Sequence, residues 1–157
     1  MTPPRWPAFL AAPLAIAVPA AHATTYLTVA QAQQALFPGA SFTPLDLKPR
    51  EHVWRASSGG WFLLDEVLGK HELITYAIAL DAQGRLRGIE ILDYRESHGG
   101  EIRDAKWRAQ FLGKTAADPL QLDRDIRNIS GATLSCHHVT DGVKRLLALY
   151  ETELRHR

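Results

Sequence analysis

The sequence predicts an α+β fold in a single domain, an antiparallel sheet with N-terminal, middle and long C-terminal helices. Consecutive strand-like runs follow one another through short turns, a pattern typical of an antiparallel sheet. The C-terminal segment instead repeats its apolar residues every three or four positions, which is the period of a helix packed on one face. A chain of 157 residues is long enough for one domain with a buried core.

The N-terminal helix is expected at residues 29–36. Thr28 is suited to cap it, and the breaker sequence Phe37-Pro38-Gly39 ends it. Residues 40–50 contain prolines and are expected to form a loop or an irregular strand. Four strands are predicted after it: His52–Arg55, Trp61–Leu68, Leu73–Leu80 and Leu86–Tyr94.

Short turns rich in glycine separate these strands. The turns are Ser57–Gly60, Gly69-Lys70 and the four-residue hairpin Asp81–Gly84. Alternation along the last two strands predicts which side chains share a face of the sheet. These are Tyr76, Ile78 and Leu80 on one strand, with Ile89 and Ile91 on its partner.

Two further helices are predicted after the sheet, a short one and a long C-terminal one. Trp107 and Phe111 lie four residues apart in Asp104–Leu112, which predicts a short helix with an inward aromatic pair that ends at Gly113. Residues 114–124 form a connector, and Asp125–Ile129 is expected to be a strand end. The long C-terminal helix should bury Val139, Val143, Leu146, Leu147 and Tyr150.

The first 23 residues resemble a secretory signal peptide. Arg5 precedes the apolar stretch Phe9–Val18, Pro19 breaks that stretch, and Ala21-His22-Ala23 is a small-residue cleavage site. We therefore expect cleavage after Ala23, a mature domain of residues 24–157, and a periplasmic location. An uncleaved N-terminal membrane anchor is the alternative.

The charge balance bears on the partners of the chain, and the cysteine count bears on its disulfides. Removing residues 1–23 removes Arg5 and no acidic residue, so 18 basic side chains become 17 and balance the 17 acidic ones. A neutral mature chain gives no reason to expect nucleic acid as a partner. Cys136 is the single cysteine, so the chain cannot form an internal disulfide.

The most informative stretch is Ser130-Gly131-Ala132-Thr133-Leu134-Ser135, at the start of the long helix. Glycine allows a bulky group to approach the backbone, and free N–H groups at a helix N-terminus favour a phosphate. The simpler interpretation is a capped helix start, with Ser135 or Thr133 as the N-cap.

Together with its surroundings, this motif resembles the attachment motif of the FMN-binding domain family, which includes small subunits of the sodium-pumping NADH:quinone reductase and of the Rnf complex. The resemblance covers most of residues 64–149 and rests on three ordered blocks. They are the hairpin Leu73–Gly84, the segment Tyr94–Gly100 followed by Trp107 and Gln110–Lys114, and the Ser-Gly-Ala-Thr motif. One residue departs from the family pattern. Three positions before Ser130, where the family usually has an Asp, this chain has Arg127. Asn128 is the next residue, and Asp125 lies two positions before Arg127.

The resemblance implies FMN as the cofactor, joined through its phosphate to the Thr133 hydroxyl by a separate exported flavin transferase with Mg²⁺. Backbone N–H groups near Leu134 and Ser135 would hold the phosphate, Ser130 would add a hydrogen bond, and Gly131 and Ala132 complete the motif. The loop Glu96, Ser97, His98 and Gly99 would lie beside the flavin ring.

Each of these residues also has an ordinary structural interpretation. Ser130 and Ser135 are suited to capping, Glu96 to a surface ion pair with Arg95 or Arg103, and His98 to a solvated loop position. The run Cys136-His137-His138 does not predict a metal site, because adjacent helical residues point about 100° apart.

The sequence therefore predicts an exported FMN-binding electron carrier rather than a stand-alone enzyme, since no general-base arrangement beyond Glu96 and His98 is evident. Its expected partners are the periplasmic flavin transferase and membrane or extracytoplasmic redox proteins. The alternative is a periplasmic binding or accessory module that has lost its flavin, for which Arg127 is the clearest indication.

Overall fold

A computed structural model describes residues 26–47 and 52–157 of the chain. The predicted signal peptide and residues 48–50 of the predicted loop lie outside the described residues. The elements are helix α1 (Val29–Leu36), strands β1 (Phe42–Leu45), β2 (His52–Ala56), β3 (Trp61–Leu68), β4 (Leu73–Leu80) and β5 (Leu86–Asp93), and helices α2 (Ala105–Arg108) and α3 (Thr133–Leu149).

The five strands form an antiparallel meander in the order β1-β2-β3-β4-β5, which confirms the predicted α+β class. Between β4 and β5, Tyr76 lies opposite Ile91 and Ile78 opposite Ile89, as the alternation predicted. The segment expected to be a loop or irregular strand contributes the edge strand β1. Its Pro44 is tolerated because an edge strand has one unpaired side.

Helix α1 begins where the sequence predicted. The Thr28 hydroxyl accepts the backbone N–H of Gln31, and the Gln31 side chain accepts that of Thr28, so the two form a capping box. The helix covers one face of the sheet, where all the buried side chains except Leu92 are alanine or phenylalanine. They include Ala32, Phe37, Phe62, Ala77, Ala79 and Leu92.

Helix α3 covers the opposite face of the sheet. All five of its predicted core residues are buried, among them Val139 and Val143. The helix comes close to β4 at Gly142, where a Cβ would overlap the hydroxyl oxygen of Tyr76. That hydroxyl donates to Asp65 at 2.6 Å, and burial, together with the Asp65 carboxylate, raises the pKa of Tyr76 well above its ordinary value.

The middle helix predicted at Asp104–Leu112 is split into two short pieces, α2 and a 3₁₀ turn at Ala109–Phe111. Another 3₁₀ turn, Gly100–Arg103, precedes them and lies before the predicted start of the helix. Trp107 and Phe111 pack edge to face with ring centres 5.1 Å apart, which confirms that this pair belongs to the core. The chain leaves the last turn at Gly113, whose φ is +76°.

The strand predicted at Asp125–Ile129 is wrong. Only an isolated parallel bridge joins Leu122 to Ile126 there. The Asp125 carboxylate accepts the backbone N–H groups of Leu120 and Gln121, at 3.1 and 2.8 Å, and so turns the chain back on itself. These local side-chain hydrogen bonds compete with a strand ladder.

Within residues 26–47 and 52–157, no helix combines the length and the apolar character needed to cross a bilayer.

Candidate functional site

Most of the predicted site residues line one pocket of about 420 Å³. Two segments far apart in sequence meet there: the loop after β5 and the first turn of α3. The lining residues are Lys70, His71, Glu96, Ser97, His98, Gly131, Ala132, Thr133, Leu134 and Ser135. Two predicted site residues do not line the pocket: Ser130, which is exposed, and Gly99, which is buried.

The capping role predicted for Thr133 or Ser135 is wrong. Ala132 occupies the N-cap position of α3, and no side chain caps the helix there. Thr133 is therefore the first helical residue, with an exposed side chain. The chain reaches this point through Gly131, whose φ is +82° and whose missing Cβ would face open space. Backbone N–H groups of the first turn thus lack a capping side chain and are suited to an anion.

Tyr94 joins the two segments of the site. Its hydroxyl donates to the His98 carbonyl and lies 3.4 Å from the Ser135 hydroxyl oxygen. Burial raises the pKa of Tyr94, which keeps the hydroxyl protonated as a donor. Because Ser135 is buried and its hydroxyl faces Tyr94, it neither caps the helix nor reaches open solvent.

Glu96 brings a third segment into the site, the turn between β3 and β4. One carboxylate oxygen of Glu96 accepts the backbone N–H of His71 at 2.5 Å and that of Glu72 at 3.0 Å. Burial alone would raise the pKa of Glu96, but the N–H groups of His71, Glu72 and Lys70 together hold it below its ordinary value.

The expected ion pairs of Glu96 do not form. Arg95 pairs with Asp93 at 2.7 Å, and the Arg103 guanidinium stacks 3.9 Å from the centre of the Tyr26 ring. The Glu96 carboxylate is engaged by the backbone of the turn instead, which places Lys70 and His71 at the pocket.

Lys70 and His71 are the site residues that sequence reasoning missed. A signal for them existed in the predicted strands, because Leu73 begins β4 and Asp93 ends its antiparallel partner β5. The turn before Leu73 must therefore lie at the same edge of the sheet as the loop after Asp93.

His98 is exposed, as the solvated interpretation expected, and it also lines the pocket. Its ring Nδ1 lies 3.2 Å from the Ser97 hydroxyl oxygen. The site thus offers the exposed hydroxyl groups of Ser97 and Thr133, the imidazoles of His71 and His98, and the Lys70 ammonium group around a helix N-terminus. This donor-rich set suits a phosphorylated ligand.

Asp125, Arg127 and Asn128, which precede the Ser-Gly-Ala-Thr motif, make different contacts. Asp125 is engaged by Lys114 at 3.0 Å and by two backbone N–H groups. The backbone of Arg127 is anchored by Trp107 and Gln110, while its side chain is exposed. Only Asn128 among these three contacts Thr133: its amide nitrogen donates to the Thr133 hydroxyl oxygen at 3.0 Å.

The Cys136-His137-His138 run faces in several directions. Cys136 is fully buried, His137 pairs with Asp141 at 3.1 Å, and His138 bonds to the Leu68 carbonyl at 2.5 Å. Across the described parts of the chain, no group of three or more His, Cys, Asp or Glu side chains is placed to hold a metal ion.

Comparison with known proteins agrees with this geometry. Residues 69–148, about half of the chain, match the family model described as the FMN-binding domain. The matched segment begins at the β3–β4 turn and ends in α3, so it contains every residue that lines the pocket. A search of curated proteins finds no match to the chain.

Proposed function

Because the chain belongs to the FMN-binding domain family, whose cofactor is FMN, we propose that it is an exported electron-transfer protein carrying FMN as a phosphoester of Thr133. One observation supports this proposal above the others. The Ser-Gly-Ala-Thr motif and the Glu96–His98 loop line a single pocket, and Thr133 presents an exposed hydroxyl at the N-terminus of α3.

The residues present fit the phosphate end of FMN. The first turn of α3 has no capping side chain, so its N–H groups favour a phosphate oxygen. Lys70 adds an ammonium group at the same pocket, and Gly131 leaves open space where another residue would place a Cβ. A pocket of about 420 Å³ also lies within the range of small-molecule sites.

The residues present also fit a flat aromatic ring. Leu134 is 49% exposed although it is apolar, and it lines the pocket. Ser97 and His98 line the same pocket and offer polar groups, on the loop held by Tyr94. When bound, FMN supplies the exchange of one or two electrons, and the protein binds the ring and tunes it.

Solvent exposure around the pocket supports the electron-carrier role. The pocket is open to solvent at Lys70, His71 and Thr133, which lets a redox partner approach. We expect a membrane or extracytoplasmic donor and acceptor, together with a periplasmic flavin transferase. Export rests on the sequence of residues 1–23.

Intact-mass measurement tests the covalent attachment. The full chain is co-expressed with a periplasmic flavin transferase, and the purified protein is denatured before analysis. We expect a mass gain of FMN less one water in the wild type and in Ser130→Ala, and no gain in Thr133→Ala. A gain that persists in Thr133→Ala contradicts the assigned acceptor, and flavin released on unfolding contradicts the covalent bond while leaving FMN binding intact.

The second candidate function is a binding or accessory module without flavin, and Arg127 favours it. The position three residues before Ser130 carries a positive charge, and Asp125 cannot substitute for a free acid because Lys114 and two N–H groups engage it. The visible absorbance spectrum of protein from transferase-containing cells separates the two functions. A colourless protein that also fails to bind added FMN supports the accessory module.

A further inference from the structure

Asn128 bridges the loop before the motif to the proposed acceptor residue. Its amide oxygen accepts the backbone N–H of Ile129 at 2.9 Å, and its amide nitrogen donates to the Thr133 hydroxyl oxygen at 3.0 Å. The first bond fixes which end of the amide faces Thr133, because only the oxygen can accept from an N–H group.

This contact restricts an otherwise exposed hydroxyl. A threonine hydroxyl has one proton and two lone pairs, and Asn128 occupies one lone pair. Since no other side chain in the described part of the chain forms a hydrogen bond with the Thr133 hydroxyl, Asn128 is what orients it. Both residues lie where two pockets adjoin, Thr133 lining the candidate site and Asn128 lining a second pocket of about 370 Å³ that contains Trp107.

We propose that Asn128 is a positioning residue for the attachment of FMN to Thr133, an inference that rests on the proposed function. In that reaction the Thr133 hydroxyl oxygen forms a bond to the phosphorus of the FMN half of FAD. The diphosphate P–O bond to the AMP half breaks, and AMP leaves with the bonding electrons. The hydroxyl proton passes to a base of the Mg²⁺-dependent flavin transferase, and nothing is oxidised or reduced.

Two effects of Asn128 favour this step. Holding the hydroxyl in one orientation reduces the number of geometries that the transferase must select from. A donor beside the oxygen also stabilises the negative charge that develops there as the proton leaves. Neither Asp125 nor Arg127 does this, because Asp125 is engaged by Lys114 and the Arg127 side chain is exposed.

The test is the initial rate of flavinylation of the full mature chain, measured by intact mass with purified transferase, FAD and Mg²⁺. Asn128→Asp retains an oxygen that accepts the Ile129 N–H but cannot donate to Thr133. Asn128→Ala removes both contacts. Gln83→Ala, on the exposed β4–β5 turn at the far end of the hairpin, is the control for loss of an amide.

We expect both Asn128 variants to react about tenfold or more slowly than the wild type, within the range that misplacement of a reacting group costs. Gln83→Ala should react at the wild-type rate, Asn128→Asp should keep the wild-type melting temperature, and Asn128→Ala, which adds no charge beside the phosphate, should keep the affinity for added FMN. A rate for Asn128→Asp equal to or above the wild-type rate overturns the inference while the wild type is still labelled. An unlabelled wild type overturns both the inference and the covalent part of the proposed function.

Discussion

Gly99 and Ala132 pack so closely that a Cβ on Gly99 would overlap the Cβ of Ala132. The same added atom would lie 2.7 Å from the Tyr94 hydroxyl oxygen. Gly99 also has a φ of +82°, a conformation that favours glycine. The loop that brings Glu96 to the pocket therefore packs directly against the turn before Thr133. The two segments can lie this close because Gly99 has no side chain.

Gly99→Ala should destabilise the fold more than Gly113→Ala. Both glycines have positive φ, +82° and +76°, so both substitutions cost about 1 kcal/mol or more in backbone strain. Only Gly99 also meets neighbouring atoms, which adds about 1–3 kcal/mol of overpacking. Urea unfolding of the two variants measures the difference, and equal losses would mean that the loop moves away from Ala132 at little cost.

The sheet could be predicted because its signals are local. Alternating apolar residues and the Asp81–Gly84 turn specify β4 and β5, and in the structure Asp81 accepts the N–H groups of Gln83 and Arg85. The pairing of the two site motifs, in contrast, depends on contacts between residues 41 positions apart, such as Tyr94 with Ser135. No periodicity in a single segment reports such a contact, and only the family resemblance suggested it.

The errors arose where side chains replace regular backbone pairing. Asp125 begins the predicted strand end, yet its carboxylate closes a local turn. Thr133 has a residue type that favours an N-cap, but its hydroxyl contacts Asn128 and the cap position falls on Ala132. In both places a specific polar contact overrides the propensity of the residue.

Gly142→Ala should destabilise the protein although alanine is the better helix former. The gain in helix propensity is about 1 kcal/mol, whereas a Cβ here would overlap the Tyr76 hydroxyl and lie 3.0 Å from Cγ1 of Val67. Tyr76 cannot yield easily, because it is fully buried and bonded to Asp65. We expect a net loss of about 1–2 kcal/mol in urea unfolding, within the usual range for overpacking.

A double-mutant cycle with Tyr76→Phe tests the cause of that loss. Phe lacks the oxygen that the new methyl group would meet, so Gly142→Ala should cost less in the Tyr76→Phe background than in the wild type. If the two costs are the same, the Tyr76 hydroxyl is not the obstacle, and the contacts with Val67 Cγ1 and with ring atom Cζ of residue 76, each at 3.0 Å, must account for the loss.

Glu96→Gln should weaken the fold at neutral pH and have little effect in acid. The folded protein holds the pKa of Glu96 below its ordinary value of 4.5, so the ionised carboxylate stabilises the folded state. This contribution is complete above pH 4.5 and is lost as pH falls through the lower folded-state pKa. The melting temperatures of the wild type and Glu96→Gln should therefore converge as the pH falls through that range.

Glu72→Gln is the matched control for this pH dependence. It removes the same charge from the β3–β4 turn that Glu96 contacts, but the Glu72 backbone N–H that binds Glu96 remains. Its melting temperature should follow that of the wild type at each pH. A gap between wild type and Glu96→Gln that stays constant into acid would show that the shape of the side chain, rather than its charge, holds the turn.

Arg127→Asp should raise the fraction of protein that a generic flavin transferase modifies. An enzyme that reads an acid at this position meets an opposite charge here, and a reversed charge opposes recognition. The substitution should leave the fold intact, because Trp107 and Gln110 anchor the Arg127 backbone at 2.8 and 2.7 Å while the side chain is exposed.

Arg124→Asp is the control: it makes the same change of charge at an exposed position three residues earlier, and it should leave the modified fraction unchanged. Intact mass after identical co-expression compares the two variants with the wild type. An equal rise in both would reveal a general effect of net charge, and a fall in Arg127→Asp alone would mean that the attaching enzyme recognises the arginine itself.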